Sequence, residues 1–213
     1  MCGRYTLTRS IPDLELLFDA VPSRLQPFEA SRNISPGQTV PVVAQGREGT
    51  PVITSLRWGI KAPWAEKSRS ARLLINARAE TIRQKPTFSS SFQRYRCVIP
   101  ADGFYEWKAR QGERRKTPWL IDRSDGMILA MAGIFARHKP ENGPEEFTCA
   151  IITTEANKTM APLHDRMPVI LELDQVKEWI RRDSDPQKLY TWLQPLADGI
   201  TSLHEGVDPA GGP

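Results

Sequence analysis

Cysteine and histidine are scarce in this 213-residue chain, with three of each. Cys2, Cys97 and Cys149 are an odd number at wide spacing. They offer neither a disulfide framework nor the paired spacing of a zinc site, so no metal or other cofactor is expected. Long apolar runs are missing too. No window approaches the roughly 20 residues that cross a bilayer, and the opening MCGRYTLTRS has no apolar secretory core. The expectation is a cytoplasmic protein without membrane attachment, nucleoid-associated when it meets DNA, and a monomer. Charge of one dominant sign is also absent: 29 Lys+Arg stand against 25 Asp+Glu, a net +4. That mild excess suits a polyanionic partner without requiring one.

Proline is plentiful by contrast, 18 residues against 14 glycines, so many short, interrupted elements are expected. The length suits one sizeable core and is short for two. Ser10-Ile11-Pro12-Asp13 has the marks of a helix start, with Ser10 as N-cap and Asp13 at the capping-box position. Ile11, Leu14, Leu17 and Phe18 then share a face. Pro41–Gln45 and Pro51–Trp58 read as strands, and Leu73-Leu74-Ile75 as a buried strand running into Asn76. Further strands are expected at Arg96–Ile99, Phe104–Lys108, Trp119–Asp122, Ile128–Phe135, Phe147–Thr153 and Pro168–Leu171. Helices are expected at Asp174–Arg182, capped by Asp174, and at Asp185–Leu193 with Pro186 first. No repeat or linker divides the chain. The fold expected is α+β: one β-rich domain over residues 1–205, mainly antiparallel strands in a barrel-like core with short peripheral helices. Residues 206–213 are expected to form a mobile tail.

Chemistry concentrates in four segments. Methionine aminopeptidases act when the second residue is small, so the mature chain is expected to begin at Cys2. Its α-amine and thiol, on adjacent carbons, titrate unperturbed at about 7.7–8.0 and about 8.5. Such a 1,2-aminothiol condenses with an aldehyde twice, giving an imine and then a thiazolidine. The alternative is an incidental, buried Cys. Asn76-Ala77-Arg78-Ala79-Glu80 sets polar residues directly behind a strand. In an extended Phe104–Lys108, Glu106 sits among aromatic neighbours, where desolvation suits a carboxylate to proton transfer. Its alternative is an edge-strand Glu paired with Lys108. In Leu163-His164-Asp165-Arg166-Met167-Pro168, an imidazole that exchanges protons near neutral pH stands beside an Asp-Arg pair. Its alternative is a histidine satisfied by backbone. The basic stretch Lys108–Lys116 reads as a hairpin tip that widens a footprint on DNA, or as a solvated turn.

Together these segments resemble the SRAP family, proteins once called SOS-response-associated peptidases and now regarded as abasic-site processing proteins. The resemblance runs in order through Met-Cys2-Gly-Arg4-Tyr5, Asn33-Ile-Ser-Pro36-Gly37, Leu56-Arg-Trp58-Gly59, Pro63-Trp64, Ile75-Asn76-Ala-Arg78-Ala-Glu80, Arg96–Lys108, Ile152-Thr153-Thr154 and His164-Asp-Arg166-Met-Pro168. After Leu193 the match thins, with Gly199–Leu203 as a remnant strand.

The resemblance implies binding to single-stranded DNA at an abasic site and covalent capture of the ring-opened sugar on Cys2 as a thiazolidine. It implies that Asn76 positions the terminal residue and the sugar, that Glu106 exchanges a proton with the α-amine, and that His164 protonates the opening ring oxygen. The resemblance also implies a companion activity, strand cleavage by β-elimination assisted by His164. It places Arg78 and Arg166 on phosphates, Trp64 and Pro36 against bases, and Arg4 and Thr153 in the site wall. Two other functions use the same residues. One is an N-terminal-nucleophile thiol peptidase built on Cys2, Glu106 and His164. The other is a non-catalytic single-strand binding module.

Overall fold

A computed structural model of the chain describes residues 2–61, 73–110, 112, 114–138 and 145–209. The chain runs β1 (Tyr5–Leu7), α1 (Ile11–Phe18), β2 (Val21–Pro22), β3 (Ser31–Ile34), β4 (Thr39–Gln45) and β5 (Pro51–Trp58). It continues through β6 (Asn76–Arg78), a 3-10 turn (Ala79–Thr81), α2 (Pro86–Arg94), β7 (Arg96–Ala101), β8 (Gly103–Lys108), β9 (Thr117–Arg123), β10 (Leu129–His138) and β11 (Glu146–Glu155). It ends with β12 (Arg166–Pro168), β13 (Ile170–Leu171), α3 (Leu173–Ile180), α4 (Pro186–Tyr190) and β14 (Thr201–Glu205).

Closure of a barrel organises these strands. β4, β5, β7, β10 and β11 pair in a ring: β11 with β10, β10 with β7, β7 with β4 and β4 with β5, all antiparallel, and β5 with β11 in parallel. A closed ring leaves no exposed edge along these strands. Its wall is β-branched and small: Val42, Val43, Val98, Ala130, Ala132, Ala150 and Ile151 are fully buried. Gly133 fits this crowded interior because a Cβ there would stand 2.9 Å from Ile99 Cδ1 and 3.0 Å from Cys97 Sγ. At Gly59 the chain leaves β5 with φ +123, a conformation disfavoured for L side chains. A Cβ there would also stand 2.8 Å from that of Leu73.

A second, antiparallel sheet in the order β14-β9-β8-β1-β3 packs on the barrel. Tyr5 on β1 meets Trp58 on β5 edge to face, centroids 5.2 Å apart. The face of β7 away from the barrel is covered by α3, where Trp179 donates to the Cys97 carbonyl at 2.9 Å. Among the described residues no helix is long and apolar enough to cross a membrane.

The α+β, barrel-centred fold read from the sequence is the fold found. Ser10 caps α1 in a full capping box with Asp13, a device worth about 0.5–2 kcal/mol. Three local readings need correction. The strand expected at Leu73–Ile75 lies directly after those residues: Asn76–Arg78 is itself the strand, in parallel pairing with Ile151–Thr153, and Leu74 makes only an isolated bridge to Ile60. Backbone pairing with a buried neighbour, rather than side-chain hydrophobicity, decides this. Helix α3 is capped by Glu172, whose box partner is Gln175, so Asp174 falls in the first turn, where its charge faces the positive end of the helix. The remnant strand after Leu193 is a complete β14, paired over five residues with β9. Beyond it Gly206 N–H donates to the Pro118 carbonyl at 2.8 Å and Pro209 is buried.

Candidate active site

The site forms where the small sheet meets the barrel. Strand β1 lies between β8 and β3, with Tyr5 opposite Phe104 and the Tyr105 N–H donating to the Arg4 carbonyl at 2.9 Å. Carried two residues toward the chain's start, this register sets Gly3 against Glu106. Cys2 is 1% exposed. Its carbonyl accepts from the side-chain amide of Asn76 at 3.0 Å, joining the chain's start to β6, the strand that pairs with barrel strand β11. Burial, and then the negative charge of Glu106, push the Cys2 thiol well above its usual range. The Arg4 backbone, through a hydrogen bond that favours the thiolate, offsets only part of this. Glu106 is 5% exposed on a strand flanked by β1 and β9, so the edge-strand reading of this carboxylate fails.

A second group of side chains stands along β11, which carries β6 on one side and β12 on the other. Thr153 is opposite Arg78 across one pairing and Pro168 across the other. Arg78 is exposed, whereas Thr153 is fully buried. Arg166 grips Glu80 with both arms at 2.7 and 3.0 Å and donates to the Thr153 carbonyl at 2.6 Å. The Arg166 N–H donates to His164 Nδ1 at 2.9 Å, and Asp165 Oδ1 lies 2.8 Å from the same nitrogen. A neutral ring accepts from Arg166 there, and a doubly protonated ring donates to Asp165. The backbone contact expected of a structural histidine is therefore present, in a ring that is only partly buried.

Cys2, Asn76 and Glu106 are thus gathered directly, while His164 belongs to the network running through Arg166 to Glu80. Arg4 donates to Asn33 Oδ1 at 2.8 Å, a role for Asn33 that its place in the Asn33–Gly37 motif did not disclose. Pro36 is partly buried at the turn between β3 and β4. Trp64 and Pro63 lie outside the described residues. Around the site, the buried atoms Arg4 Nε, Asn76 Oδ1, Thr153 Oγ1 and Arg166 Nε have no hydrogen-bond partner among the described residues. Each such orphan costs about 1–3 kcal/mol, a cost that a polar ligand reaching it offsets. No cluster of metal-ligating residues exists among the described residues.

The family model described as SOS response associated peptidase (SRAP) matches residues 1–206. The chain belongs to this family. Among SRAP relatives, the abasic site processing protein YoaM of Bacillus subtilis is 38% identical over 200 residues, 92% of this chain and 86% of that one. The abasic site processing protein YedK of Escherichia coli is 30% identical over 187 residues, 86% and 81% of the two chains. A crystal structure of a protein from Bacteroides thetaiotaomicron superposes with a TM-score of 0.83 at 22% identity, over 96% of this chain and 91% of that one. That likeness speaks to the SRAP fold alone.

Proposed function

We propose that this SRAP protein processes abasic sites in DNA by capturing the ring-opened sugar on Cys2. The observation that carries the reading is the company Cys2 keeps: a carboxylate and a side-chain amide, in a buried pocket whose effect is to keep the thiol protonated. A thiol peptidase needs the opposite, a thiolate stabilised by a neighbouring cation. Aldehyde capture does not. With Met1 removed, the α-amine attacks the sugar aldehyde and one water leaves as the imine forms. The thiol then adds across the C=N bond, sulfur to carbon, and its proton ends on nitrogen. One C–N bond and one C–S bond are made, and no oxidant is consumed.

Glu106 is the base that takes a proton from the α-ammonium and passes it to solvent, freeing the amine for attack. Asn76 holds the Cys2 carbonyl, so the amine and thiol present themselves in a fixed orientation, and its orphaned Oδ1 is left to meet a sugar hydroxyl. His164, between Arg166 and Asp165, donates to the sugar ring oxygen as it opens. Arg78 contacts a phosphate, Arg4 and Thr153 line the wall, and Pro36 and Trp64 offer apolar faces to bases. These contacts suit a single strand, since bases must be free to stack.

The test is incubation of purified protein with a single-stranded oligonucleotide carrying one abasic site, read on a denaturing gel. A heat-stable adduct is expected with the wild type and none with Cys2→Ala, while noncovalent strand binding persists. A stable adduct from Cys2→Ala, or peptide cleavage in place of an adduct, defeats the reading.

A further inference from the structure

Glu80 has no part in the chemistry proposed above, yet it occupies both arms of the Arg166 guanidinium. It follows Arg78 by two residues, in the 3-10 turn that ends β6. Its carboxylate takes one donor from each arm of Arg166, at 2.7 and 3.0 Å. A further Nη2 donor is spent on the Thr153 carbonyl at 2.6 Å, and Nε is buried. Of the five guanidinium donors, three are spent, leaving the buried Nε and one Nη1 hydrogen without a partner among the described residues. Side-chain exposure is 11% for Arg166 and 49% for Glu80, so the carboxylate forms the solvent side of the pair.

A backbone phosphate seeks the same two-pronged geometry that the carboxylate occupies. We infer that Glu80 is a built-in competitor for a phosphate subsite on Arg166: it holds the guanidinium fork in the free protein and is exchanged for a DNA phosphate when a strand seats. The inference rests on the abasic-site reading and deepens it by naming a residue that sets how tightly undamaged strand is held. Exchange breaks one ion pair for each one made. A strand without a lesion therefore gains little at this subsite and departs readily, whereas a captured sugar is retained by its covalent bond.

The experiment measures equilibrium binding of an undamaged single-stranded oligonucleotide to wild type, Glu80→Gln, Arg166→Ala and the double variant, across a salt series. Exposed ion pairs and their loss are worth up to about 1 kcal/mol, so Glu80→Gln is expected to bind about three- to fivefold more tightly. Its slope of log affinity against log salt should steepen by about 0.7, one further phosphate neutralised without a displaced carboxylate. That gain should vanish in the Arg166→Ala background. Glu80→Ser, a second carboxylate-free form, should behave alike. Equal or weaker binding by Glu80→Gln overturns the inference, because it makes the carboxylate a support for Arg166. A gain that survives in Arg166→Ala overturns it as well, as general charge repulsion. Adduct formation on an abasic oligonucleotide is scored separately with wild-type protein, so failure of the parent reading shows there and not in these affinities.

Discussion

Cys2, Cys97 and Cys149 are chemically one residue type, and their surroundings make them alike in a second way. Each is buried, and burial raises each thiol, Cys149 to about 12. A thiol that stays protonated is a poor nucleophile toward alkylating reagents. Folded protein exposed to iodoacetamide near pH 8 should therefore carry no label on Cys97 or Cys149, and both should label fully in denaturant, as peptide mass spectrometry would report. Rapid labelling of either in the folded state contradicts the placement of these side chains in the barrel wall. Sequence alone showed Cys2 to be special only through its place in the chain. What it could not show was the carboxylate opposite, because Glu106 reaches Cys2 through a pairing between strands a hundred residues apart.

At the scale of elements, Arg96 does what no pattern of hydrophobicity announces. It is 1% exposed at the start of β7 and donates to the carbonyls of Phe92 and Trp179 at 2.7 Å, and also to those of Gln93 and Arg181. These carbonyls belong to the C-terminal ends of α2 and α3, where unpaired carbonyls and the negative end of each helix dipole favour a cation. One side chain thus ties two helices to the barrel. Replacing it with methionine should leave those carbonyls unpaired and cost roughly 2–4 kcal/mol by urea unfolding. An unchanged midpoint would assign the clamp no energetic role. The strand at Asn76–Arg78 was hidden for a related reason: its polar side chains mimic a loop, and its partner strand is visible only in three dimensions. Helix α1, whose cap and apolar face are local, was legible down to its capping box.

For the whole molecule, several acidic side chains share one electrostatic habit. Side-chain hydrogen bonds from Ser10, Lys177, Arg166 and Arg181 hold Asp13, Asp19, Glu80 and Asp183 below their ordinary range. In the unfolded chain such carboxylates titrate at about 3.9–4.3. A depressed folded value contributes stability that is fully present above that range and is lost as pH falls through the folded value. The thermal midpoint should accordingly be flat between about pH 5 and 7 and should drop below about pH 4. A midpoint that rises on acidification would contradict this. Two of the barrel strands were readable from β-branched runs, although the parallel pairing of β5 with β11 that shuts the barrel was not. Of the residues in the ordered motifs, Cys2, Asn76 and Glu106 come together, His164 falls in the network of Arg166 and Glu80, and Trp64 lies outside the described residues.

The near-complete enclosure of Cys2 carries a consequence for biogenesis. Cys2 is enclosed only once the strands that carry Asn76 and Glu106 have been made and have folded, so an aminopeptidase acting on the nascent chain meets an open terminus. Asn76 and Glu106 have not yet been translated when the amino end emerges, and at about 5–20 residues per second the nascent terminus stays accessible for several seconds. A chain that keeps Met1 carries its α-amine on that residue and not on Cys2, so under the aldehyde-capture proposal it would form no thiazolidine.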